Sequence, residues 1–156
     1  MKPAFPFAVL GLAAAAAAGG IVFASQDGDT TAAYRSPDVV ALGAEVYDAN
    51  CASCHGADLE GQPNWRERDA DGYLPAPPHD ASGHTWHHPT AQLFEITKYG
   101  TEAVVGGGYR SNMMGFGDSL SDEEISAVLA YIKSTWPARI IERHDELDAA
   151  YEAAQQ

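Results

Sequence analysis

The sequence predicts an all-α domain. Three segments, and a fourth in the tail, repeat apolar residues at the helical period. Two of them open on residues that start helices, and no stretch shows the alternation of a strand. Between the first and second segments lies a long Pro- and Gly-rich stretch with no period of its own, which something other than secondary structure must organise.

The first helix starts at Ser36-Pro37-Asp38, which supplies a capping hydroxyl, a proline in the first turn and an acid near the positive end of the helix dipole. Val39, Leu42, Val46 and Tyr47 then share a face with Gly43. A glycine inside a helix costs up to ~1 kcal/mol relative to alanine, so a packing reason is expected there. The helix runs into Asn50 and the segment Cys51-Ala52-Ser53-Cys54-His55. From Gly56 to Pro89 the chain carries prolines 63, 75, 77, 78 and 89 and glycines 56, 61, 72 and 83, which exclude long regular elements. A second helix begins near Pro89-Thr90, places Leu93, Ile96 and Tyr99 on one face, and ends at Gly100. Gly106-Gly107-Gly108 makes a flexible or closely approaching loop.

The third helix has the clearest start, with Ser121 and Glu124 as a capping box and Asp122 and Glu123 in its first turn. Ile125, Val128, Leu129 and Ile132 follow at helical spacing, and Pro137 interrupts the run after Trp136. In the tail, residues 137–156, Ile140, His144, Leu147 and Tyr151 predict a further amphipathic helix.

The N-terminal run is a separate matter. Phe5 to Ala24 is uncharged over 20 residues and is preceded only by Lys2. As a helix it would be ~30 Å long, enough to cross a bilayer. Two readings fit residues 1–24: a signal peptide cleaved before Ser25, with Val22 and Ala24 as the small residues, or a retained membrane anchor. Both keep Lys2 inside and send the remainder outside. Residues 25–36 read as a polar linker and 37–136 as the folded domain.

Residues 25–156 hold 8 of the Lys and Arg and all 22 Asp and Glu, a formal charge of −14. That sign makes nucleic acid an improbable partner. It suits a solvated surface, and if clustered at a docking face it would select a basic partner.

The chemistry sits in C-x-x-C-H, the attachment pattern for haem c. Thiols one helical turn apart can add across the two vinyl groups of one porphyrin, and the adjoining imidazole of His55 then lies below the iron. A thioredoxin-like site would follow a strand, and a structural zinc site needs four ligands. Here a helix precedes the motif, and there is no further cysteine.

Beyond the motif, the chain resembles the class I cytochrome c family, in its small bacterial members, over roughly Asp38 to Trp136. The resemblance rests on Gly43 and Tyr47 in a helix ending in CASCHG, on Met113-Met114-Gly115-Phe116-Gly117-Asp118 as the family's M-P-x-F-G loop, and on Leu120 to Trp136 as its last helix. It implies a cytochrome c fold with three to four short helices around one haem c. The first and last helices cross, with Tyr131 or Leu129 approaching Gly43. It also implies a methionine as second axial ligand. Counting back from Phe116 selects Met113, 58 residues after His55, with Met114 as competitor because it stands where the family has proline.

The family places a proline carbonyl against the axial imidazole, a role for Pro77 or Pro78. Trp65, Tyr73, Trp86, Tyr99, Tyr109 and Phe116 are candidates to wall the haem, though each also suits an ordinary core. His84, His87 and His88, with Trp86, read as a polar loop over a haem edge rather than a second metal site, since no carboxylate or thiolate completes a ligand set nearby.

With iron bound by His55 and Met113, no position is left for substrate. The expected function is single-electron transfer between redox partners on the exported, periplasmic side of the membrane, without catalysis. The alternatives are a cytochrome subunit of a larger membrane oxidoreductase complex and an open-site haem enzyme.

Overall fold

A computed structural model of the chain describes residues 30–156. The apolar run Phe5 to Ala24 and its reading as signal or anchor lie outside the described residues. Among those described, no helix is long and apolar enough to cross a membrane.

The described residues are helical, without a named strand. A 3₁₀ turn, Thr30–Arg35, leads into α1 (Pro37–Asn50), α2 (Ala52–His55), α3 (Thr90–Tyr99), α4 (Thr101–Val105), α5 (Asp122–Ser134) and α6 (Ala138–Ala154), with a second 3₁₀ turn at Thr85–His87. The count exceeds three to four because α2 and α4 are about one turn each, too short for a period to register in sequence.

α1 begins at Pro37 as the sequence requires, but the Ser36 hydroxyl makes no capping bond. Its carbonyl instead accepts from Val40 N–H at 3.0 Å. α5 carries the complete capping box: Ser121 Oγ accepts from Glu124 N–H at 3.2 Å and Glu124 Oε2 from Ser121 N–H at 2.8 Å.

α1 and α5 cross at Gly43. A Cβ there would stand 2.6 Å from the Ala127 carbonyl carbon and 2.7 Å from Tyr131 Cβ, and it would overlap the Ala127 oxygen. The approaching element is therefore the Ala127 backbone with Tyr131, not Leu129. Leu129, Ala127 and Tyr131 lie within one turn, and periodicity cannot say which part of a turn touches a partner. Around the crossing, Val46, Tyr47, Ile125, Val128 and Ile132 form the buried core.

α6 buries Ile140, His144 and Asp148. The expected Ile140–His144–Leu147–Tyr151 face is thus rotated: Leu147 is half-buried, Tyr151 is exposed, and an aspartate takes an inner position. The cause is a charged seam. Lys133 of α5 lies 3.2 Å from Asp148 and 2.6 Å from Asp145. Thr90, at the start of α3, donates to Asp148 through both its N–H (2.6 Å) and its hydroxyl (2.8 Å). His144 Nε2 donates to the His88 carbonyl at 2.9 Å, and its Nδ1 lies 3.2 Å from Asp148. A buried carboxylate needs such partners, and here they come from three separate stretches of chain.

Candidate haem site

α2 is the C-x-x-C-H segment from Ala52 to His55, with Cys51 as the cap between α1 and α2. Cys51 N–H donates to the Tyr47 carbonyl at 2.8 Å, and His55 N–H to the Cys51 carbonyl at 2.9 Å, so the motif continues the hydrogen bonding of α1 past a local break. Tyr47 OH ties the far end down by donating to the Gly56 carbonyl at 2.9 Å. Cys51 is half-buried and Cys54 exposed. Burial, and the Cys54 thiol beside it, push the Cys51 pKa up to about 11.

His55 is buried. Its Nδ1 is 2.8 Å from the Pro77 carbonyl. A carbonyl can only accept, so Nδ1 carries the hydrogen and Nε2 keeps its lone pair for a metal. Burial lowers the pKa of His55, and the Pro77 bond opposes this in part. Of the two adjacent prolines, Pro77 is the one that meets the ring.

The Pro-rich stretch is organised to deliver that carbonyl. Gly61 N–H donates to the His55 carbonyl at 2.7 Å, and Gln62 N–H to the Ala76 carbonyl at 2.8 Å, so the chain folds back on itself. At the fold Gly61 has φ +69°, and a Cβ there would stand 2.7 Å from the Pro77 carbonyl carbon. Buried Leu59 holds φ 67°, sparse territory for a branched side chain, and its carbonyl accepts from both His79 N–H and Asp80 N–H.

The methionine loop is fastened to α3 and α4. Phe116 N–H donates to the Thr97 carbonyl and Gly117 N–H to the Lys98 carbonyl, each at 2.9 Å, while Thr101 N–H donates to the Met113 carbonyl at 3.3 Å. Met113 N–H donates to Ser111 Oγ at 3.1 Å, and Ser111 N–H to Glu102 Oε1 at 2.8 Å. Arg110 reaches back to the long stretch, donating to the Asp71 carbonyl at 2.6 Å and the Tyr73 hydroxyl at 2.7 Å. Met113 and Met114 both line a cavity of about 540 Å³ with Tyr99, Glu102 and Ser111. Met113 is half-buried, whereas Met114 is 69% exposed.

The aromatic candidates divide. Phe116 packs on the core. Trp65, Tyr73 and Tyr109 each lie under an arginine, Arg66, Arg110 and Arg68 respectively. Trp86 stacks on His87, and Tyr99 is mostly exposed. His84 stacks on Trp65 and meets the edge of His88. Among the described residues, no three His, Cys, Asp or Glu side chains gather as a metal site. Sequence reasoning missed His79, whose ring stacks on that of His55. Its place two residues after Pro77 was the available signal.

The donor set fits a covalently held haem: two cysteines within one turn and a neighbouring imidazole of fixed tautomer with one nitrogen unspent. Comparison with known proteins agrees. The family model "Cytochrome c" matches residues 40–136, more than half of the chain. The chain is similar to the Cbb3-type cytochrome c oxidase subunit FixP of Azorhizobium caulinodans, 28% identical over 64% of this chain and 32% of the relative. It is also similar to a nitrite reductase of Stutzerimonas stutzeri, 31% identical over 58% of this chain and 15% of that protein. FixP of Sinorhizobium medicae is 28% identical over 61% and 29%. The matched stretch thus spans less than a third of each relative. No solved structure matches. The chain belongs to the cytochrome c family, whose cofactor is covalently bound haem c, and Cys51, Cys54 and His55 fit the attachment motif.

Proposed function

We propose that this domain transfers single electrons, with Cys51 and Cys54 as thioether anchors and His55 and Met113 as the axial ligands of one haem iron. His55 and Met113 would fill both axial positions, so a haem held this way would supply one-electron redox chemistry and leave no position for substrate. The observation that carries the reading is the His55 Nδ1–Pro77 bond, which presets the ring nitrogen that faces a metal. Met113 is favoured over Met114 by its partial burial and by the bonds on its own N–H and C=O. The protein part of the work is to hold both ligands still, so that little rearranges when the electron arrives.

The absorption spectrum of the purified full chain tests this. The oxidised protein should show the weak red band of sulfur bound to ferric iron. Met113→Leu should abolish that band while Met114→Leu keeps it. The reverse pattern would move the ligand to Met114, and no band in the parent would remove methionine altogether.

A second reading makes the chain a subunit of a larger exported oxidoreductase. It is favoured by relatives named as an oxidase subunit and a nitrite reductase, of which this chain matches only a part. Co-purification from detergent extracts distinguishes a subunit from a free carrier. An open-site enzyme is distinguished by carbon monoxide, which should leave the spectrum of the reduced carrier unchanged. The acidic charge supports a basic redox partner, and Phe5 to Ala24 supports delivery to the periplasmic side, anchored or after cleavage.

A further inference from the structure

The attachment motif does not require a histidine at position 79, yet His79 is fastened from four directions. Its N–H donates to the Leu59 carbonyl at 2.8 Å, and its carbonyl accepts from Trp136 Nε1 at 2.8 Å. Its Nδ1 lies 2.9 Å from Thr85 Oγ1, and its ring meets Tyr47 edge-on with centroids 6.2 Å apart. Held so, the ring lies on the face of His55, with centroids 4.0 Å apart and planes 24° from parallel.

The Pro77 bond fixes one atom of the His55 ring, which can still rock about the line joining Nδ1 to the carbonyl oxygen. A flat group against its face removes that freedom. We propose that His79 is a positioning residue that sets the plane of the His55 imidazole, and so the orientation of the axial ligand over the haem. The Thr85 hydroxyl explains why a histidine serves here. It bonds His79 Nδ1 at 2.9 Å, and that bond fixes the turn of the stacking ring. Phenylalanine would offer the flat face without that bond, and leucine would fill the space without a flat face. The inference rests on His55 being the axial ligand.

Proton NMR of the oxidised holoprotein reads the outcome, because the order of the four hyperfine-shifted haem methyl resonances depends on the azimuths of the two axial ligands, of which His55 is the one stacked on His79. His79→Leu should change that order while the covalent haem and the sulfur–iron band remain. His79→Phe should keep the parental order. Thr85→Val, which leaves the ring in place but frees its rotation, should give a smaller change in the same direction, and it carries the test alone if the leucine variant does not fold. Parental order in both His79→Leu and Thr85→Val overturns the inference, as does an equal change in His79→Leu and His79→Phe. If His55→Ala retains the parental low-spin spectrum, the ligand assignment itself has failed, and that outcome is distinguishable from the others.

Discussion

The two sides of the proposed haem site are built on different principles. Around His55 the ligand ring is gripped as a ring, by the Pro77 carbonyl in its plane and by His79 on its face. Behind these stand Gly61, Leu59, Thr85 and Trp136, several of them buried. Around Met113 the fastenings act on the chain: main-chain bonds to Thr101, Thr97 and Lys98, the side chains of Ser111 and Glu102, and one exposed arginine. Changes on the first side should therefore cost haem or stability, and changes on the second should cost the spectrum first. Elements with few buried contacts open first.

The largest effect is expected for the double variant Cys51→Ala/Cys54→Ala. It removes both thioethers, and the purified protein should carry no acid-stable pigment; haem that survives acid extraction would place the attachment elsewhere.

Next comes a control away from both sides. Asp148→Asn leaves Lys133 with Asp145 alone and takes the charge from the acceptor of the two Thr90 bonds, and should destabilise by about 1–3 kcal/mol. Urea denaturation should show it as a lower midpoint, with the haem spectrum of the folded state unaltered. The same carboxyl predicts an acid limb. Burial alone would raise its pKa, but bonds from His144 and Thr90 outweigh burial and hold it well below the usual range. The stabilisation is present above the unfolded carboxyl pKa of ~3.9 and is lost as pH falls toward the folded value. Asp148→Asn should flatten that limb between pH 4 and pH 2, to about the extent of this one group. An unchanged acid limb would contradict the seam.

Gly61→Ala presses a methyl group on Pro77 at a positive φ and should cost about 1–3 kcal/mol. Because Pro77 holds His55, the variant should also shift the reduction potential, a readout that a remote destabilising change would not move.

Arg110→Ala, on the exposed methionine side, should cost under about 1 kcal/mol in global stability. It should nevertheless let the sulfur–iron band disappear at lower urea than in the parent, and Arg110→Lys should recover only part, lacking the two-pronged reach to Asp71 and Tyr73. Equal loss of band and fold in urea would erase the contrast between the two sides.

What was legible in the sequence was local. The attachment motif, the capping box of Ser121 with Glu124, the start at Pro37 and the end at Gly100 each depend on residues within one turn of each other. So does the apolar face Ile125–Val128–Leu129–Ile132. What was not legible joins distant parts of the chain. Thr90 meets Asp148 across 58 positions and Trp136 meets His79 across 57, and no period links them. The choice between Pro77 and Pro78 depends on where the fold at Gly61 falls, which is a matter of backbone geometry. His79 is hidden for the same reason: in sequence it is one polar residue in a loop, and only the return of that loop past His55 brings the rings together.

Mass spectrometry of the intact purified chain and of its CASCH peptide reads the haem joined by two thioether bonds to Cys51 and Cys54. The expected mass is that of the peptide plus one haem, with the whole increment on the peptide containing Cys51 to His55 and no thiol open to alkylation after reduction. A colourless protein of bare peptide mass with two alkylatable thiols would contradict it.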